Sequence, residues 1–195
     1  VEAFWQNLNA GRDSITEIPS ERWNWRDYWG DPLSEPGRGN VKWGGFIDGV
    51  GAFDPEFFGI SRPEARLIDP QQRLLLTQAW RLMEDAGYAP ATLSGSNTGV
   101  FIGIADSAYN RVVANSIDQI EGYSMAGLAP SLGPNRVCYF YNLRGPSVAI
   151  ETACSSALIA VHRAIEAIHA GHCHTAIAGG INLLITPDPF VGFAK

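Results

Sequence analysis

The sequence predicts a layered α/β domain, and three stretches carry that prediction. Residues 98–104, Thr-Gly-Val-Phe-Ile-Gly-Ile, form a near-continuous apolar run, as in a strand covered on both faces. Residues 147–152 alternate small or polar with apolar side chains after the Gly145-Pro146 turn and read as a second strand. The pattern then changes at once. Leu158, Val161, Ile165 and Ile168 recur at three- and four-residue spacing up to Gly171, which describes a helix ended by a C′ glycine. Strands alternating with helices build α/β layers.

Taken in order, the chain opens with Phe4, Trp5 and Leu8 at helical spacing over residues 1–10, with Gly11 as the helix stop. Residues 12–45 are polar, broken by Gly and Pro, and aromatic, with Trp23, Trp25, Tyr28, Trp29 and Trp43. The interleaved Arg22, Arg26 and Lys42 invite a stacking platform for sugars or single-stranded nucleic acid. The mixed local charge favours aromatics that pin an irregular loop instead. Residues 49–54, Gly-Val-Gly-Ala-Phe-Asp, begin like a dinucleotide fingerprint but lack its third glycine and a preceding strand.

Asp54-Pro55 is expected to cap a short helix holding Phe57 and Phe58. Asp69 at N-cap, Pro70 at N1 and Gln72 at N3 then resemble a capping box. The helix they start buries Leu75, Leu76, Ala79, Trp80 and Met83 and stops before Gly87. Capping accounts for most of the 69–73 segment, so its role is architectural. Residues 135–141 end a helix that leads into the Gly145 turn. Two further strands, 175–178 and 181–186, flank a break at Gly179-Gly180, and Pro187 and Pro189 close the pattern.

Bulk properties narrow the function. A length of 195 residues suggests about one domain, and 46% hydrophobic residues suffice for its core. A net charge of −6 argues against nucleic-acid or anionic-membrane partners. No run reaches the roughly eighteen apolar residues of a membrane span, and no signal-peptide pattern opens the chain. Cys138, Cys154 and Cys173 are an odd number without framework spacing, which points to a reduced cytoplasm.

Cys154 falls where the 147–152 strand turns into a helix, among the small residues Ala153, Ser155, Ser156 and Ala157. A helix N-terminus favours thiolate over thiol, and its unpaired amides can bind a developing oxyanion. A buried structural cysteine fits the same placement, so geometry alone leaves both readings open. The four histidines do not supply a partner. His162 lies eight residues on, about 12 Å further along the helix axis, and His169 is further still. His172-Cys173-His174 has no second ligand pair at matching spacing, so no metal is predicted.

Here the motifs become specific. Thr-Ala-Cys-Ser-Ser at residues 152–156, set in Gly-Pro-Ser-Val-Ala-Ile-Glu before it and Ala-Leu after it, resembles the nucleophile motif of the β-ketoacyl synthases. Asp69-Pro70-Gln71-Gln72-Arg73 resembles their D-P-Q-Q-R motif, and residues 135–140 and 178–182 match the segments on either side. Residues 18–23, Ile-Pro-Ser-Glu-Arg-Trp, are most like ketosynthase domains of modular polyketide synthases, with the trans-acyltransferase type as a candidate. Glu151 in place of the commoner Asp, and Ala157 where a third Ser is usual, depart from the pattern and put substrate preference in doubt.

The resemblance runs end to end, and it implies the N-terminal half of a thiolase-like fold, layered α/β/α/β/α. On that basis residues 1–195 are a partial β-ketoacyl synthase domain, incomplete at both ends, lacking the first strand and the C-terminal half. It further implies that Cys154 is the acyl-accepting nucleophile, its backbone N–H part of the oxyanion hole. Acyl transfer is then followed by decarboxylative condensation with a malonyl-type extender. The implied partners are an acyl carrier protein, a second copy in a homodimer joined along the 147–152 strand, and neighbouring synthase domains. No resident cofactor is implied, because phosphopantetheine arrives on the carrier. Residues 105–130 lie near the active-site mouth and dimer interface in the family, where Met125 is either a pocket residue or plain core filling.

The family's two histidines, in H-G-T-G-T and N-x-G-H motifs, do not occur in this sequence. The chain alone is therefore expected to be inactive in condensation. Two alternatives stand. One is a non-elongating domain that holds and gates an acyl chain. The other is a cysteine thioester hydrolase, weakened because Thr152 and Ser156 occupy the places where a hydrolase elbow carries small residues, usually glycines.

Overall fold

The computed structural model describes residues 2–113 and 121–195; the part of the 105–130 stretch from 114 to 120 lies outside them. The described chain forms two compact units, one of residues 50–183 and one of residues 2–49 with 184–195.

The larger unit is built on β1, Thr98–Ile104, every residue of which is buried. It pairs in parallel with β2, Ser147–Ile150, on one side and β3, Thr175–Ile181, on the other. Alternation sends its side chains to two cores. Val100, Ile102 and Ile104 meet Leu75, Leu76, Ala79 and Met83 of α1 (Pro70–Asp85) and Val137 and Tyr141 of α2 (Leu132–Tyr141). Phe101 faces the other way, towards Ala160, Ala164 and Ala167 of α3 (Ser156–His169). Both faces of the strand are covered, as the apolar run predicts.

Helix α3 ends as expected. Gly171 has φ +74°, its N–H bonds Ile168 O at 3.0 Å, and His172 N–H bonds Ala167 O at 2.9 Å, a Schellman closure. Its buried face differs from the predicted stripe. The alanines at 160, 164 and 167 are buried, whereas Leu158, Val161, Ile165 and Ile168 are exposed, about 100° or more round the helix. The reason is close approach. A Cβ on Gly103 would stand 2.7 Å from Ala157 N, and one on Gly180 2.7 Å from Ala157 Cβ. Only small side chains fit between helix and sheet at that spacing.

Gly179 and Gly180 accordingly lie inside one continuous strand, paired with Ile102 and Gly103, and do not break two. Residues 182–186 are not strand. Gly145 has a similar purpose: a Cβ there would meet Thr98 C at 2.5 Å, so the turn before β2 passes directly over β1.

Residues 55–59 form turns and not the expected helix. Asp54 Oδ1 accepts from Phe57 N–H at 3.1 Å, and the aromatics hold the turn. Phe58 stacks on Phe53 at 5.1 Å, and Phe57 meets Trp80 edge-on at 4.8 Å. Among its described residues this unit also holds the short helices α4 (Arg62–Leu67), α5 (Asn110–Val113) and α6 (Ser124–Leu128) and a 3-10 turn at Pro90–Leu93.

In the smaller unit, α7 (Glu2–Asn9) leaves Phe4, Trp5 and Leu8 exposed. Strands β4 (Ile15–Glu17) and β5 (Trp43–Gly45) pair antiparallel. Helix α8 (Asp188–Phe193) brings Phe190 to within 5.3 Å of the Trp23 ring. Trp25 Nε1 donates to Glu17 at 2.6 Å, with Arg26 and Lys42 over its ring. The aromatic loop is thus pinned by its own contacts, as the sequence favours.

Candidate active site

The β2–α3 turn is built by hydroxyls. Ala153 adopts a left-handed conformation, φ +53°, which costs a residue with a Cβ roughly 1–2 kcal/mol. Its neighbours hold it there. Ser155 Oγ donates to Thr152 O, and lies as close to Thr152 Oγ1, both at 2.8 Å. Ser156 Oγ donates to Ala153 O at 2.7 Å and accepts from Thr152 N–H at 2.9 Å. The two serines of the motif are therefore positioning residues for Cys154. From sequence they read only as small neighbours that leave room; a hydroxyl cluster just ahead of a helix is the signal that could have found them.

Cys154 stands immediately before the N-cap residue Ser155 and is exposed. The other two thiols differ. Cys173 is buried in the α3-side core, and Cys138 is half-buried, with burial pushing its thiol up. The turn spends some of the expected oxyanion donors: Ser156 N–H bonds Ala153 O at 3.2 Å and Ser155 N–H bonds Thr152 O at 3.4 Å. The hydrogen bonds that lock the turn engage the amides of Thr152, Ser155 and Ser156. Ala157 has its Cβ over Gly180, so this departure from the family pattern lies at a packing contact.

The histidines sit elsewhere. His162 Nε2 lies 3.4 Å from Glu166 Oε1, one turn further along α3. Among the described residues no group of three or more His, Cys, Asp or Glu is placed to hold a metal ion. Met125, on α6, is 70% exposed.

The 69–73 segment organises what surrounds the sheet. Asp69 Oδ1 caps α1 by accepting from Gln71 N–H at 2.8 Å, but the expected capping box does not close. Asp69 N–H instead donates to Gly127 O at 2.8 Å. Gln72 turns inward: its Nε2 donates to Gly127 O and Ala129 O at 2.9 and 3.0 Å, and its Oε1 accepts from Arg136 Nε at 2.8 Å. Arg136 in turn pairs with Glu64 at 3.1 Å. Gln71 Nε2 reaches Ala105 O at 2.9 Å, and Leu183 N–H donates to its Oε1 at 3.2 Å. Two buried amides thus tie segments far apart in sequence, where any unmet polar group would cost about 1–3 kcal/mol.

Asp69 gives a test of this hub. Burial raises its carboxyl above the ordinary value, against hydrogen bonds from Ser107 and Gln71 that lower it. Its contribution to stability is therefore full below the ordinary aspartate value of 3.8 and is lost as pH rises through the raised one. Asp69→Asn keeps an acceptor for Gln71 N–H and can donate to Ser107 Oγ. Urea unfolding of the full-length protein should show the Asn variant gaining on wild type between pH 4 and 7. Asp69→Ala should lose about 1 kcal/mol with the cap. A stability difference between Asp and Asn that does not change with pH would refute the raised carboxyl.

Comparison with known proteins agrees with this geometry. The family model described as "Beta-ketoacyl synthase, N-terminal domain" matches residues 1–195. The chain is 54% identical over 195 residues to polyketide synthase PksN of Bacillus subtilis strain 168, covering all of the chain and 4% of that protein. It is 50% identical over 192 residues to polyketide synthase ThaG of Burkholderia thailandensis, covering 98% of the chain and 3% of that protein. Among solved structures, the oxazolomycin ketosynthase domain OzmH KS7 of Streptomyces albus JA3453 superposes with a TM-score of 0.89 at 40% identity. That match covers 98% of the chain and 34% of the other. A ketosynthase from module 6 of the bacillaene synthase of Bacillus subtilis 168 gives 0.85 at 33% identity, covering 98% of the chain and 31% of the other. The chain thus spans about a third of these solved domains and under a twentieth of these curated relatives. The architecture is the N-terminal half of the thiolase-like fold. The chain belongs to the β-ketoacyl synthase family, as part of a polyketide synthase ketosynthase domain.

Proposed function

We propose that this chain carries the nucleophile of a chain-elongating polyketide ketosynthase. One observation supports this above the others: of the three thiols, only Cys154 is exposed, and it is held on a hydroxyl-locked turn at the mouth of α3. Its thiolate attacks the carbonyl of a carrier-bound thioester. A new C–S bond forms, and the carrier's thiol leaves with a proton. The Cys154 N–H is the chain's donor to the oxyanion of that step. A malonyl-type extender then loses carbon dioxide, its enolate carbon attacks the Cys154 thioester, and the C–S bond breaks as the C–C bond forms.

His162 faces Glu166, so enolate stabilisation draws on donors outside α3, and these 195 residues alone do not condense. The partners in this reading are an acyl carrier protein, which brings its own phosphopantetheine, a second copy, and neighbouring synthase domains. Met125, being exposed, is available to line the acyl channel.

The test is loading of the full-length protein with an acyl-pantetheine thioester, peptide mapping by mass, then addition of radiolabelled malonyl carrier. Acyl mass should fall on the Cys154 peptide and convert to β-ketoacyl product. Mass on Cys138 or Cys173 would overturn the site. Release of free acid without malonyl consumption would make the protein a hydrolase. An acyl group held but never elongated would make it a gate.

A further inference from the structure

We propose that the hollow between the 51–56 turn, α4 and the first turn of α1 is a binding site for a small organic phosphate. It has a volume of about 450 Å³, within the usual range for small-ligand pockets. None of its lining residues belongs to the Cys154 turn.

Three arginines, Arg62, Arg66 and Arg73, and two carboxylates, Asp54 and Glu56, line it. The charges do not all cancel. Arg62 Nη2 is 2.8 Å from Glu56 Oε1, so those two answer each other. Asp54 Oδ1 is engaged by Phe57 N–H. Arg66 makes no side-chain ion pair among the described residues. Arg73 Nε is buried and, among the described residues, has no hydrogen-bond partner, an arrangement that costs about 1–3 kcal/mol.

Tyr109 touches the Arg73 cation and the backbone of Arg66. Its ring lies 5.7 Å beneath the Arg73 guanidinium, and its hydroxyl donates to Arg66 O at 2.8 Å. Two guanidinium groups from two different helices thus border one hollow. A planar carboxylate is satisfied by a single arginine fork, whereas a phosphate presents three oxygens and can engage both. Phe53 adds an apolar wall, which suits an organic body attached to that phosphate.

The experiment is calorimetric titration of the full-length protein with phenyl phosphate, inorganic phosphate and benzoate. Wild type, Arg66→Gln, Arg73→Gln and the control Arg81→Gln, outside the hollow, are compared. Phenyl phosphate should saturate one site per chain, and each of the first two variants should weaken it tenfold or more. Arg81→Gln should not. Inorganic phosphate should bind more weakly for want of the Phe53 contact. Should Arg73→Gln fail to fold, Arg66→Gln with unchanged melting decides alone. Absence of saturable binding, full affinity in Arg66→Gln, benzoate binding as tightly as phenyl phosphate, or bare phosphate doing so would each overturn the proposal.

Discussion

Cys154→Ala should abolish acyl loading and product formation, lowering turnover on the order of 10⁴-fold or more. The sulfur is the atom that bonds the acyl group in the proposed reaction, and no neighbouring thiol can stand in. Cys173 is 1% exposed, and Cys138 is half-buried with its thiol pushed up. Because Cys154 is exposed, its truncation should change stability by no more than about 0.5 kcal/mol. Cys173→Ala is the converse: it removes sulfur from the α3-side core and costs stability while loading continues. Single-turnover loading measured beside denaturant unfolding separates the two. If Cys154→Ala loads at the wild-type rate, the nucleophile is wrongly placed.

Gly103→Ala should slow Cys154 acylation by about 10²-fold and destabilise the fold by about 1–3 kcal/mol. Its φ is not in the left-handed region, so the cost is contact alone. The added Cβ would stand 2.7 Å from both Ala157 N and Ser156 C, and 2.9 Å from Ser156 Cβ. Two of those atoms are backbone and cannot swing aside. The first turn of α3 must lift, and Ser156, which holds Ala153 O and Thr152 N–H, lifts with it. Gly179→Ala is the control, because nothing lies within 4 Å of that Cβ. Equal acylation rates in Gly103→Ala and wild type would show that the seating of α3 does not position the sulfur.

Much of this was legible in the sequence because the signals were local. The near-continuous apolar 98–104 run gave the central strand, and Asp69-Pro70 gave the start of α1 to the residue. Cys154 was placed at the strand–helix junction from the change of periodicity alone. What could not be read depends on partners distant in sequence. A glycine pair announces missing side chains but not what fills the space, so Gly179-Gly180 read as a break when Gly180 is a seat for Ala157. The large residues of α3 marked a plausible stripe, yet the sheet's glycines select the alanines beside it. Gln72 fits a capping box on spacing, but Gly127, Ala129 and Arg136 are better partners, and spacing carries no trace of them. Ala153 gives no hint of its positive φ, since alanine ordinarily avoids it.

The middle position of β1 has a consequence for synthesis on the ribosome. Its pairing partners on both edges, β2 and β3, follow it in the chain, and Thr98 finds its partner only when Thr175 has been made. At about 5–20 residues per second, β1 waits roughly four to fifteen seconds for that edge. During that interval an uncharged segment of Val, Phe and Ile is without its sheet, and such segments are the ones that associate with neighbouring nascent chains. The turn bearing Cys154 rests on the same late closure, through Gly103 and Gly180. The reactive thiol is therefore not assembled until the sheet beneath it is complete, and a chain stalled before β3 carries the cysteine without its site.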